Sequence, residues 1–196
     1  YDKIKVIINK TNYGISAATN NGVEISSGEF IAFLDHDDLL TDDALAVIVK
    51  YINDNPDFDV FYSDQDKVDL NGKLFEPFLK PDWSQWFSRG VMYIGHVLVI
   101  KKSIIEKVGL FDSYFDGVQD FEYLLRVSEN TQKIYHIPKI LYHWRAIDGS
   151  VAFSHDAKND IHDLQKKAVE NHLKRLNIKA NVEKSNIPHR LKINPQ

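Results

Sequence analysis

Cysteine is absent from the 196 residues, which removes disulfide scaffolds, thiolate metal sites and thiol nucleophiles and leaves the redox compartment open. Methionine occurs once, at Met92, and the chain opens instead at Tyr1 on an apolar stretch, so we expect a piece of a longer polypeptide. A basic excess is also lacking: 24 Lys+Arg face 28 Asp+Glu, a net charge of −4. No cationic stripe is there to displace counterions from a phosphate backbone, and no nucleic-acid partner is expected. Apolar runs such as Val97 to Ile100 fall far short of the roughly 20 residues that cross a bilayer. No basic start leads through an apolar stretch to a cleavage site. Repeats and low-complexity tracts are missing too. What is present is 43% hydrophobic, an ordinary share for a folded chain, and long enough to build its own core.

Ile4, Val6, Ile7 and Ile8 predict a short buried strand, punctuated afterwards by Asn12, Gly14 and Ser16. A helix is expected from Ala17 to Ser26, with Gly28 beyond its end. Phe30 to Leu34 reads as a second strand. Thr41 then caps a helix whose first turn holds Asp42 and Asp43 and whose apolar positions run from Leu45 to Ile52. Val60 to Tyr62 is a third strand. Strand and helix alternating at this spacing predict parallel strands with crossover helices, hence an α/β layered domain.

Asn71-Gly72, between Lys67–Leu70 and Lys73–Phe75, is a hairpin signal. Further strands are expected at His96–Ile100 and, on either side of Pro138, at Ile134–Ile137 and Ile140–Tyr142. Helices are expected at Ser103–Val108 and Gln119–Glu129, where Glu122 and Arg126 can pair on the helix surface. The stripe Ile161, Leu164, Ala168, Val169, Leu173 and Leu176 predicts a helix over Asp156–Leu176. Asn177 to Gln196 reads as a polar, extended tail, so residues 1–176 form the expected domain and 177–196 a tail or linker.

Asp35-His36-Asp37 lies where an apolar strand ends, and open parallel sheets bind ligands at the carboxyl ends of their strands. Two carboxylates there suit a hard divalent cation that bridges to substrate phosphates. The plainer alternative is that acidic residues cap the following helix. A metal-dependent phosphohydrolase also places D-x-D after an apolar strand, but Leu39 stands where that chemistry has a small polar or β-branched residue.

The stretches Asn12-Tyr13-Gly14-Ile15-Ser16-Ala17-Ala18-Thr19-Asn20 and Ser27 to Asp38 resemble glycosyltransferase family 2, the inverting GT-A group. The likeness continues in order through Tyr62-Ser63-Asp64-Gln65-Asp66-Lys67, Phe78 to Ser84, Tyr93-Ile94-Gly95-His96, Phe115 to Glu122 with Arg126, and Leu141-Tyr142-His143-Trp144-Arg145. It is similar to the bacterial branch that builds O-antigens and other cell-surface polysaccharides, including rhamnosyltransferases. The resemblance spans residues 4 to 176. It implies a GT-A, Rossmann-like three-layer sandwich with a mostly parallel central sheet, cut short at its N-terminus so that the first nucleotide-binding strands are missing.

What the resemblance implies is metal-dependent, inverting transfer of a sugar from a UDP- or dTDP-sugar to a hydroxyl of a glycan or lipid-linked acceptor. Asp37 would ligate Mn²⁺ or Mg²⁺ with Asp35, which also touches the donor, and His143 would be a third ligand, its plainer reading being a packed, hydrogen-bonded histidine. Asp120 would be the general base. Its alternative is to complement a helix N-terminus. Asn12, Gly14 and Asn20 are turn formers first and donor contacts second, and Arg145 can clamp phosphate through its planar fork. Asp64, Asp66, His96 and Trp144 are expected on the acceptor side; a polar hairpin start, a strand edge and core packing are their plainer readings. The implied location is cytoplasmic, at most peripheral to the inner face of the plasma membrane, with a further transferase domain in the parent chain. A non-catalytic carbohydrate-binding scaffold on the same fold is the competing expectation.

Overall fold

The computed structural model describes residues 3–146 and 158–196, apart from the side chains of 158–160. In chain order the elements are α1 (Ile15–Ile25), β1 (Phe30–Phe33), β2 (Leu39–Leu40), α2 (Ala44–Asp54), β3 (Val60–Val68), β4 (Leu74–Phe78), α3 (Gln85–Gly90) and β5 (Leu98–Lys101). They continue with α4 (Lys102–Val108), a 3₁₀ turn (Ser113–Phe115), α5 (Gln119–Asn130), β6 (Ile134–Arg145), α6 (Lys158–Arg175), β7 (Ala180–Lys184) and β8 (Leu191–Pro195).

The main sheet has the order β1-β5-β3-β6-β2, with β4 joined to the outer half of β3. Strands β1, β3 and β6 all run in one direction and carry most of its residues, which is the mostly parallel sheet expected. Strand β5 enters between β1 and β3 in the opposite sense. The hydrogen-bonded neighbours β3 and β6 are therefore parallel, while the other described pairs are antiparallel. Local spacing does not reveal an insertion that arrives some forty positions later, on the order of a whole supersecondary unit.

Alternation along the strands builds the layers. Val60 and Tyr62 of β3, with their partners Ile100 and Leu98 on β5, face Val23 of α1, Ile104 and Ile105 of α4 and Leu124 and Val127 of α5. Phe61 and Val99 face the other way, onto Ala44 and Ile48 of α2. A period of two makes both faces apolar, as a sheet covered on both sides requires. The two short strands expected around Pro138 are one continuous strand, β6. Its register against β3 skips from Ser63↔Ile137 to Asp64↔Ile140, because proline has no N–H to give the ladder and the chain bulges past it.

Four expectations are corrected. The β-branched run Ile4–Ile8 forms no strand. Ile4, Val6 and Ile8 are 67%, 74% and 87% exposed, because no strand among the described residues pairs with them. Thr41 does not cap α2. That helix starts at Ala44 after Asp43, and Thr41 closes the preceding turn by accepting from the Ala44 N–H at 3.0 Å. Glu122 and Arg126 do pair, at 2.8 Å, but Glu122 is buried rather than on the helix surface, and Arg126 also donates to the carbonyls of Val108 and Leu110.

The fourth correction is the tail. Residues 180–195 form a β-hairpin, β7 with β8, whose Val182 and Leu191 pack into a second apolar cluster with Phe121 and Leu125 of α5 and Ala168, Val169 and Leu173 of α6. Burial of apolar side chains, at about 25 cal/mol per Å², outweighs the polar composition of the segment. Helix α6 carries the expected stripe; the first two positions predicted for it, Asp156 and Ala157, lie outside the described residues.

Candidate functional site

Strand β1 delivers the chain into Leu34-Asp35-His36-Asp37-Asp38, and the two-residue strand β2 then fastens this acidic loop to β6, pairing Leu39 with His143 and Leu40 with Tyr142. Asp38 is the fastening point rather than a ligand. Its carboxylate accepts from the Arg145 N–H at 2.7 Å and from the Tyr142 hydroxyl. Burial pushes the Asp38 carboxyl above its ordinary pKa, against the lowering effect of those two bonds. Burial and the Asp38 contact push the Tyr142 phenol upward as well. The guanidinium of Arg145 is drawn to the same loop, its Nε donating to the Asp37 carbonyl.

Asp35 and Asp37 remain open to solvent, their side chains 43% and 39% exposed. Asp35 meets His96 Nε2 at 3.4 Å, and Asp37 meets His36 at 3.7 Å. The His96 ring stacks on Tyr142 at 4.9 Å. His96 lies after Gly95, whose φ of +51° suits glycine. A Cβ on Gly95 would stand 2.8 Å from Gln65 Oε1, the atom that accepts the His96 N–H at 3.3 Å.

Beneath this turn lies Lys80, only 5% exposed, with Nζ donating to the carbonyls of Ile94 and His96. Burial pulls its pKa down to about 7, against the raising effect of Asp64.

A cavity of about 530 Å³ gathers Asp35, Gly95, His96, Asp120, Phe121 and Trp144. Its volume is within the ordinary range of ligand sites, roughly 300–1,000 Å³. Asp120 stands in the first turn of α5, where one carboxylate oxygen accepts the Phe121 N–H at 2.8 Å. Of the residues singled out from sequence, the structure thus brings together Asp35, His96, Asp120 and Trp144. Trp144 is 37% exposed, with the Lys67 ammonium 5.5 Å from its ring centroid.

Others stand apart from the cavity. Asp64 is buried and holds the Lys80 N–H and His136 Nε2, each at 2.8 Å. Asp66 is buried beside β6 and bonds His143 Nδ1. Asn12 accepts the Gly14 N–H at 2.9 Å, and Asn20 bonds the backbone of Phe111. Among the described residues no group of three or more His, Cys, Asp or Glu is close enough to hold a metal by itself, so Asp35, Asp37 and His143 do not form a closed cage.

Sequence reasoning missed Lys80, Gln65, Tyr142 and His136. A lysine or glutamine in an aromatic-rich stretch carries no local mark of burial, although Lys80 stands two residues before Asp82 in a stretch quoted for its likeness. Among the described residues no helix is long and apolar enough to cross a membrane.

The comparisons with known proteins agree with this arrangement. Residues 1–109 match the family model described as glycosyl transferase family 2. The chain is 37% identical over 76% of its length to the O-antigen biosynthesis protein RfbC of Myxococcus xanthus and 40% identical over 88% to an uncharacterized protein, y4gI, of Sinorhizobium fredii. It spans 12% and 19% of the lengths of those relatives. Among solved structures, S. aureus TarS in complex with UDP-GlcNAc aligns with a TM-score of 0.66 at 16% identity, over 86% of this chain and 50% of that one. The mannosyltransferase PcManGT from Pyrobaculum calidifontis, solved with GDP-Man and Mn²⁺, aligns at 0.56 and 13% identity, over 88% and 46%. The layered α/β sheet is the GT-A arrangement of these neighbours, and with more than half its length matched by the family model the chain belongs to glycosyltransferase family 2.

Proposed function

We propose that this chain takes part in inverting transfer of a sugar from a nucleotide-diphosphate sugar to a hydroxyl of a growing cell-surface polysaccharide or lipid-linked glycan. The observation that carries the proposal is the single cavity shared by Asp35, His96, Asp120 and Trp144. Asp120 is the general base. It takes the acceptor hydroxyl proton as that oxygen bonds to the anomeric carbon and the bond from that carbon to the phosphate oxygen breaks, releasing a nucleoside diphosphate. One carboxylate oxygen is engaged by the Phe121 N–H, which holds the group while leaving the other for the proton. Such a base contributes about 10²–10⁴ in rate.

Asp35 and Asp37 fit a hard divalent cation such as Mn²⁺ or Mg²⁺. They are exposed carboxylates one residue apart, just past a strand end, and their small number suits an ion that takes its remaining oxygens from phosphate and water. When bound, the ion would neutralise charge developing on the leaving diphosphate. His143 stands outside this pair: its Nδ1 bonds Asp66, and among the described residues no three such side chains come close enough to share an ion. Arg145 is tied to the loop through Nε, and among the described residues its Nη groups have no hydrogen-bond partner, which suits them to phosphate. Trp144, at the cavity wall, supplies a face for a sugar ring.

The O-antigen assignment of RfbC supports a polysaccharide acceptor, and the donors solved with TarS and PcManGT support a nucleotide sugar. A cytoplasmic setting follows from the donor class. The competing reading is a carbohydrate-binding scaffold, which has no use for a base beside the acidic loop. The test is release of nucleoside diphosphate from a panel of nucleotide sugars with Mn²⁺, comparing the chain with Asp120→Asn. Loss of turnover with metal affinity retained is expected. Equal turnover in the two proteins, or sugar binding without turnover in the complete polypeptide, would overturn the enzymatic reading.

A further inference from the structure

Of the residues read as turn formers first and donor contacts second, Gly14 and Asn20 lie against the segment that leads into Asp120, while Asn12 bonds the Gly14 N–H. Asn20 makes a two-point amide pairing with Phe111: its Nδ2 donates to the Phe111 carbonyl at 2.9 Å, and its Oδ1 accepts the Phe111 N–H at 2.8 Å. Five residues later, Asp116 sits at the start of α1 and accepts the Ser16 N–H at 3.2 Å. The first N–H groups of a helix have no partner within it and carry partial positive charge, so a carboxylate is favoured there.

Gly14, with φ +90°, lies against that carboxylate so closely that a Cβ would stand 2.1 Å from Asp116 Oδ2. Asn12 fixes the same turn from the other side. The opposite flank of the segment is held by α5, where Tyr123 stacks on Phe111 at 3.9 Å and Arg126 holds the Val108 and Leu110 carbonyls. After Asp116 the chain has only Gly117, Val118 and Gln119 before Asp120, and the Gly117 N–H donates to the Gln119 side chain at 2.7 Å.

We infer that Asn20 and Asp116 are positioning residues for Asp120, with Gly14 making room for the Asp116 carboxylate. Together they pin Phe111–Asp116 to α1 and so set where the base presents its carboxylate in the cavity. The inference rests on the reading of Asp120 as the general base. It assigns to helix α1 the work of a strut for the base rather than of a donor-binding element. Misplacing a reacting group by about 1 Å costs about 10²-fold, so loosening either pin acts on turnover and leaves the donor's affinity alone.

The experiment compares Asn20→Ala, Asp116→Ala, Asp116→Asn and Gly14→Ala in steady-state kinetics and in amide hydrogen exchange. The alanine variants at 20 and 116 are expected to lose about 10- to 100-fold in kcat with donor KM within about twofold. Asp116→Asn keeps an oxygen for the Ser16 N–H and should recover most of the loss. Gly14→Ala leaves both pins present but displaces Asp116, and should behave like Asp116→Ala. Exchange should rise across 111–121 in the three disruptive variants while β3 stays protected. A raised donor KM at unchanged kcat would return these residues to donor contact and overturn the inference. Unchanged exchange across 111–121 would overturn the pinning itself, whatever the reaction. Full turnover in Asp120→Asn, with exchange altered as expected, would instead overturn the base reading and the catalytic half of this inference.

Discussion

Replacing Lys80 by methionine tests whether burial beneath the turn beside the cavity makes this amine give up its proton near neutral pH. Lys80 is 5% exposed and donates through Nζ to the carbonyls of Ile94 and His96, and its pKa falls from an ordinary 10.5 to about 7 because burial disfavours the charged form. Below about pH 7 folded and unfolded chains both carry this proton, and the folded state bears the full cost of burying the charge. Between about 7 and 10.5 the unfolded chain holds a proton that the native one has released, so this group makes stability rise with pH. The slope is about 1.4 kcal/mol for each pH unit, approaching about 5 kcal/mol across the whole window.

Lys80→Met keeps the length of the side chain and removes the titration. Urea unfolding followed by tryptophan fluorescence at several pH values from about 6 to 9.5 gives both curves. The wild-type protein should gain on the variant by about 1.4 kcal/mol per unit above pH 7.5 and run parallel to it below about pH 6. Parallel curves throughout would refute the argument, since they would mean that Lys80 keeps its proton in the fold or that it is not buried in solution.

Two further outcomes follow from the site and the core. Asp37→Ala should abolish calorimetric Mn²⁺ binding or weaken it by at least about tenfold, about 1.4 kcal/mol, and unaltered binding would remove the acidic loop from the cation's site. Leu191→Ala should cost about 2–5 kcal/mol in unfolding free energy, as for other leucines in a packed core. A cost below about 0.5 kcal/mol, the usual scale of a surface change, would mean that residues 180–195 are the loose tail their composition suggests.

The parts of the molecule legible in the sequence are those in which cause and effect are close together along the chain. The Asn71-Gly72 turn, with Gly72 at φ +81°, closes the hairpin predicted for it. The position of the acidic loop was legible because Asp35 comes two residues after a strand of four residues, and that of Asp120 because it lies in the first turn of an amphipathic helix. The β7–β8 hairpin had a signal that polarity obscured: Ile178, Ala180 and Val182, then Leu191 and Ile193, alternate with polar residues at the period of a half-buried strand. The run Ile4–Ile8 shows the converse. Strand propensity is a statement about neighbours, and the described residues supply none.

Amino-acid order alone determined the layered α/β class, the two-residue alternation that gives the sheet two apolar faces, the carboxylates at the end of β1 and the family to which they point. Those properties depend on spacings of a few residues. Only the tertiary structure decided which polar side chains line the cavity and which hold the frame. It placed β5 between β1 and β3, buried Lys80 under His96, gave Asp38 to Tyr142 and Arg145, and turned Asn20 onto Phe111. Each of these depends on a contact between residues far apart in sequence, and a buried polar group must find its partner wherever the chain brings one.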